Sequence, residues 1–252
     1  MPGIRETTVE PLSRPGKMAP PGGGRSFARR TFARAMNQNL RVLRRLASQP
    51  AVDAPACDIG CWDGQSFLQY APRGRRLLGL ELDAMAASRA RDRGIDAITC
   101  DLTTEWPLAA SSIGLVTSNQ VIEHLLDVDH FVSESFRVLR PGGRAVISTE
   151  NLASWHNICA LALGWQPFSL TNISSVASGL GNPCANLRDE QPLAAGWQHV
   201  HVMTTKALRE LFVAHGFVRV SVHGAGYYPL PATMGRLDPS HAAFITVDAT
   251  RP

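Results

Sequence analysis

"ACDIGCWDGQSF", residues 56–67, is the stretch on which the fold turns. A short apolar run carries one acid, Asp58, and then breaks into Gly60, Cys61, Trp62, Asp63 and Gly64. Glycine permits positive φ and a close approach of backbone to ligand. The stretch therefore predicts a buried strand feeding a ligand-binding turn. Trp62 stands out, because a third small residue would suit the centre of such a turn better.

Downstream, strand and helix signals alternate, which argues for a mostly parallel sheet with helices on both faces. "RRLLGLELD" (75–83) reads as a second strand, short and apolar as a buried parallel strand is. Asp83 is placed to N-cap the helix "AMAASRARDR", which Gly94 closes. "IDAITCD" (95–101) and "IGLVTSN" (113–119) give strands three and four. A helix over about 128–139 is expected to end at "PGG" (141–143), with "RAVISTE" (144–150) as strand five. Thr204 or Thr205 starts a helix that stops at Gly216, and "FVRVSVHG" and "AAFITVDA" complete the sheet. The expectation is one α/β domain over 49–252, Rossmann-like and seven-stranded. Residues 152–202 differ: Trp155, His156, Trp165 and Trp197 lie among Ser, Asn and Gly without a period. So long a structureless loop is uncommon inside a domain, so a partly helical lid inserted after strand five is expected.

Ahead of this domain, residues 1–24 are rich in Pro and Gly, as in "SRPGKMAPPGGG", and read as a disordered tail. Residues 25–48 read as a basic amphipathic helix. Phe32, Met36, Leu40, Leu43 and Ala47 share one face, and Arg30, Arg34, Arg41 and Arg45 the other. The formal charge of +4 hides an asymmetry. Residues 1–48 hold nine Arg and one Lys against Glu6 and Glu10, a balance of +8, while the remainder sums to −4. An acidic body argues against a nucleic-acid partner, since a basic patch should line the working face. No run approaches the roughly 18 apolar residues of a membrane span. Five scattered cysteines suit free thiols in a reducing compartment, so a cytoplasmic location is expected.

In an open parallel sheet, ligands bind outside the carboxyl ends of the strands. The residues there are the turn after strand one, then Glu81, Asp101, Asn119 and Gln120. A carboxylate after strand two is placed to accept both hydroxyls of a ribose. A dinucleotide-binding dehydrogenase is disfavoured, because the glycine after Gly60 is Gly64 and "GxGxxG" is absent.

This constellation resembles the class I S-adenosylmethionine-dependent methyltransferases, in their small-molecule branch of type 11 and type 12 proteins. "CDIGCWDG" looks like the family's acidic, glycine-rich first motif, with Trp62 in place of its middle glycine. "GLELD" looks like the ribose motif and "CDL" (100–102) like the adenine motif. "VIEHLLDVDHFVSESFRVLRPGGRAVIST" closely resembles the segment from strand four to strand five. The resemblance implies S-adenosylmethionine as cofactor, held by Asp58, Gly60, Cys61, Gly64, Glu81, Leu82, Asp101, Leu102, Asn119 and Gln120. It implies methyl transfer to O or N of a small-molecule acceptor: a natural product of secondary metabolism, a quinone-like ring, or a sugar or lipid metabolite. A homodimer is compatible with it. An RNA-directed enzyme using the Arg arm, or a non-catalytic accessory subunit, are the alternatives.

An acceptor hydroxyl or amine is helped by a general base. His124 and His199 are the candidates by position. "QVIEH" (120–124) is one substitution from the "ExxEH" pattern that carries a divalent metal in ubiquinone-pathway and small-RNA methyltransferases. Gln120 replaces the first acid, and an amide is a poorer ligand for a hard cation. No metal is therefore expected; Glu123, His124 and His199 are the alternative ligand set.

Overall fold

The computed structural model describes residues 23–185, 196–227 and 231–252. Apart from Gly23 and Gly24, the expected N-terminal tail lies outside the described residues. Seven strands form one sheet in the order β3-β2-β1-β4-β5-β7-β6. They are β1 (Ala56–Ile59), β2 (Leu77–Glu81), β3 (Asp96–Thr99), β4 (Ile113–Asn119), β5 (Leu139–Glu150), β6 (Val218–Ala225) and β7 (Phe244–Thr250). β1 to β5 pair in parallel, and β7 runs antiparallel between β5 and β6. The chain leaves β1 toward β2 and β3, then returns to β4 on the other side. The crevice between β1 and β4 is thus the topological switch point.

Among the described residues the α-helices are α1 (Gly23–Ala47), α2 (Phe67–Tyr70), α3 (Ala84–Asp92), α4 (Val128–Val138), α5 (Trp155–Ala162) and α6 (Thr205–Ala214). Both sheet faces are covered, and successive strand residues feed opposite cores, as a period of two requires. Leu115 and Val146 join Val42, Leu43 and Leu46 of α1, Phe67 of α2 and Ala87 of α3. Val116 and Ile147 join Phe131 and Val138 of α4 and Phe212 of α6. Asp83 accepts from the Ala86 amide at 2.7 Å to cap α3, and Thr204 caps α6.

Two boundaries differ from expectation. α4 ends at Val138, and Leu139 already pairs with Ile113, so "PGG" lies inside β5 and does not end the helix. It forms a register shift before Arg144, where Gly142 (φ +77°) donates to Arg251 O. α1 starts at Gly23, two residues early, and its buried face is rotated from the expected apolar stripe. Phe32 is 39% exposed, while Ala35, Gln38, Asn39 and Val42 are buried. The cause is polar: Asn39, fully enclosed, donates to Asn119 Oδ1 at 2.9 Å and accepts from Ser148 Oγ at 2.8 Å. A buried amide must be hydrogen-bonded, and that requirement sets the roll of the helix. Arg30, Arg34, Arg41, Arg44 and Arg45 are exposed on the far side.

The 152–202 segment is bounded by a parallel bridge between Asn151 and Met203. It contains α5 and a 3-10 turn at Phe168–Leu170. Among the described residues, no helix is long and apolar enough to cross a membrane.

Candidate functional site

The turn after β1 is built by backbone constraint. Gly60 (φ +72°) and Gly64 (φ +76°) both occupy the left-handed region. A Cβ on Gly60 would lie 2.5 Å from Val121 Cγ2, and one on Gly64 2.4 Å from Ile95 Cδ1. Trp62 lies between them at φ +49°, a conformation that costs an ordinary residue about 1–2 kcal/mol. The glycine expected there would adopt it freely. Cys61 is buried with its amide donating to Leu80 O, and burial pushes its thiol well up. It packs the turn on Gly79, where a Cβ would meet Sγ at 2.4 Å.

Glu81 ends β2 directly beside this turn. The Trp62 amide donates to its Oε2 at 2.8 Å and the Asp83 amide to its Oε1 at 2.9 Å. Burial raises this carboxyl above its usual range, against the pull of those amides. Each oxygen keeps a lone pair for a ligand hydroxyl. Leu82 follows with its side chain exposed.

The other positions divide. Asp58 is not at the turn but inside β1, where Tyr70 Oη donates to both of its oxygens and Thr117 Oγ1 to Oδ1 at 2.7 Å. Burial raises its pKa to about 7. It fastens α2 and β4 to β1 from within. Asp101 caps its own loop, accepting from the Thr103 amide and hydroxyl, and is exposed. Leu102 turns its side chain into the core. Asn119 is held by Asn39. Gln120 has φ +59°, and its Nε2 is buried with no hydrogen-bond partner among the described residues.

On the β4–β5 side, Glu123 and His124 lie on a 3-10 turn, Ile122–His124. Glu123 is fully buried; Oε2 accepts from Thr149 Oγ1 at 2.9 Å, while Oε1 is without a partner among the described residues. Burial pushes its carboxyl up to about 8. The Val200 and His201 amides both donate to Glu123 O, which brings His199 to His124, with ring centroids 4.7 Å apart. His124 Nδ1 meets Gln198 O at 3.1 Å, and His199 Nδ1 meets Ser169 O at 2.7 Å. A carbonyl only accepts, so both Nδ1 atoms carry hydrogen and both Nε2 atoms carry a lone pair in the neutral rings. Burial, then the neighbouring His199, lowers the His124 pKa to about 4. His199 also lies 3.7 Å from Glu150. The ligand atoms of Glu123, His124 and His199 all fall within 4.8 Å of one another.

The aromatic residues of the 152–202 segment do not form one wall. Trp197 stands edge-on to Trp62 at 5.8 Å and to His124 at 6.4 Å. Trp155 stacks on His241 at 4.5 Å and donates to Tyr227 Oη, whose hydroxyl donates to Asp238. His156 is half-buried against Phe168, its pKa lowered to about 4 by desolvation. Trp165 is half-buried beyond α5. Sequence reasoning missed Asn39, Tyr70 and Thr117; an Asn within an apolar helical stripe was the signal for the first.

Residues 57–147 match the family model described as "Methyltransferase domain". The chain is 41% identical over 113 residues to a protein of Mycolicibacterium smegmatis named a probable S-adenosylmethionine-dependent methyltransferase. That match spans 44% of this chain and 42% of the relative. A ubiquinone biosynthesis O-methyltransferase of Sinorhizobium fredii is 30% identical over 111 residues, 41% of this chain and 44% of that one. The chain thus spans less than half the length of the curated relatives it matches. A solved Thermotoga maritima structure, described as a SAM-dependent methyltransferase and possible histamine N-methyltransferase, superposes with TM-score 0.62 at 15% identity. It covers 88% of this chain and 91% of that one, which shows the shared fold. The glycine turn, the acid that ends β2 and strands β1 to β4 thus lie within a segment similar to a methyltransferase domain, in a 3-2-1-4-5-7-6 sheet that shares the fold of a solved S-adenosylmethionine-dependent methyltransferase.

Proposed function

We propose that this chain transfers the methyl group of S-adenosylmethionine to a small-molecule acceptor, with Glu81 holding the cofactor ribose and His124 taking the acceptor's proton. The observation that carries the cofactor half is the carboxylate of Glu81, fixed by amides of the glycine turn and of α3 with lone pairs to spare. The cofactor, when bound, supplies an electrophilic methyl on sulfur. The chain's work is then to hold the acceptor in line at near-attack distance. His124, neutral and with Nε2 free of hydrogen, serves as base. A base with pKa near 4 is matched to an acceptor whose proton is itself loosely held. A phenolic or quinol hydroxyl fits better than an alcohol, so O-methylation of an aromatic natural product or quinone-like ring is the favoured chemistry. The −4 balance beyond residue 48 favours such an acceptor over RNA. Five free cysteines support a cytoplasmic setting.

Calorimetry with S-adenosylhomocysteine followed by a methyl-uptake screen over phenolic acceptors tests this. Glu81→Ala is expected to weaken S-adenosylhomocysteine binding by about 1–3 kcal/mol, the scale of a lost hydrogen bond to a charged group. Equal affinity in variant and wild type would sink the assignment.

A second reading is favoured by one observation, the partnerless buried Oε1 of Glu123 beside two imidazoles. Two imidazoles and a carboxylate suit a divalent cation, with ionised Glu123 and both Nε2 atoms as donors. Such an ion would orient the acceptor oxygen and ease its deprotonation. On this reading, EDTA abolishes transfer, and emission spectroscopy of the purified protein finds about one equivalent of metal. Full activity in EDTA leaves the base mechanism standing.

A further inference from the structure

We infer that Trp62 is a positioning residue that couples the ribose acid Glu81 to the exit of the 152–202 segment, and through it to the His124–His199 pair. This rests on the cofactor reading above for the name "ribose acid", but the coupling itself is a property of the chain alone.

Trp62 has two handles. Its backbone N–H donates to Glu81 Oε2 at 2.8 Å. Its indole is held between two elements, with Arg89 of α3 placed over the ring at 6.0 Å and Trp197 edge-on at 5.8 Å and 84°. Trp197 in turn stands edge-on to His124. The residues that follow Trp197 are fastened to the same turn: Gln198 O accepts from His124 Nδ1, and the Val200 and His201 amides donate to Glu123 O. A line of contacts therefore runs from Glu81 through Trp62 and Trp197 to His124 and His199. A glycine in position 62 would satisfy the backbone at φ +49° without strain and still donate its N–H to Glu81. What it would lack is the ring, so the strained residue is explained by what its side chain does. The acceptor side is thereby set by the cofactor side: a ligand that fixes Glu81 also fixes the Trp62 backbone, and with it the docking of Trp197.

Hydrogen exchange tests this without knowledge of the acceptor, because the Val200 and His201 amides report the docked exit directly. In ligand-free Trp62→Gly, these two amides are expected to exchange about 10-fold or more faster than in wild type, with core amides of Val116 and Ile147 unchanged. Trp62→Phe, which keeps an aromatic edge, is expected to restore protection to within about 3-fold. S-adenosylhomocysteine should slow exchange at both amides in wild type and in Trp62→Phe but not in Trp62→Gly. The coupling is overturned if Trp62→Gly exchanges at the wild-type rate at Val200 and His201. It is equally overturned if the acceleration spreads to Val116 and Ile147, or if S-adenosylhomocysteine protects Trp62→Gly as well as wild type. A wild type that binds no S-adenosylhomocysteine overturns the cofactor reading instead, and the ligand-free rates still decide the coupling.

Discussion

His124→Ala is expected to lower methyl transfer by roughly 100- to 10,000-fold, the contribution of a well-placed general base, with S-adenosylhomocysteine affinity unchanged. The two effects separate because the His124 ring meets Gln198, Trp197 and His199, while Glu81 is fixed by the Trp62 and Asp83 amides. Its Nδ1 hydrogen is committed to Gln198 O, so the tautomer is set and Nε2 is the atom that removal deletes. The pH profile carries the same signature. Burial and His199 hold the His124 pKa near 4, where 6.5 is ordinary. If His124 is the base, as proposed, its working form is the neutral ring, so turnover should persist as pH falls through 6 and decline only near 4. An acid limb near 6.5, or near-normal rates in both His124→Ala and His199→Ala, would end the assignment.

Gly60→Ala is expected to be strongly destabilising. It puts a Cβ into the left-handed region at φ +72°, which costs about 1–2 kcal/mol. The same Cβ falls 2.5 Å from Val121 Cγ2, and relieving such overpacking costs about 1–3 kcal/mol more. For a chain of this size that corresponds to a fall in melting temperature of roughly 4–20 °C. Val121 precedes Ile122–His124, so the displacement should also reach His124 and depress turnover. Thermal melts of Gly60→Ala beside Trp62→Gly are the sharpest comparison: one change adds a methyl and destabilises, while the other removes an indole and relieves strain. Equal melting temperatures for Gly60→Ala and wild type would refute the steric account.

The strands, the glycine turn after β1 and the acid that ends β2 were legible because each rests on a local rule: a short apolar run, a glycine with positive φ, a carboxylate at a strand end. Asp58 shows where such rules stop. A sequence gives no view of Tyr70 and Thr117 closing over it, so an acid that fastens the sheet from inside reads the same as one that meets a ligand. The roll of α1 was misjudged for the related reason that Asn39 has its partners on β4 and β5, far away in sequence. The aromatic residues of 152–202 have no period to read. Only the fold sends Trp197 to His124 and Trp155 to Tyr227 and His241.

The placement of α1 bears on how the chain is assembled in time. It meets residues from the far end of the sequence: Phe32 at its edge packs on Phe244 at 5.8 Å, and Thr246 Oγ1 donates to buried Asn39 at 3.5 Å across 207 residues. Contacts of such separation form late, because the intervening chain must be closed first. During synthesis the basic helix therefore emerges long before β7 exists, and the partners of Phe32 and Asn39 on that strand arrive last. Deleting residues 1–48 to ask whether the arginines bind RNA would strip the sheet of one of its covers. Charge reversal at Arg30 and Arg34 leaves that cover in place and puts the same question to the exposed face alone.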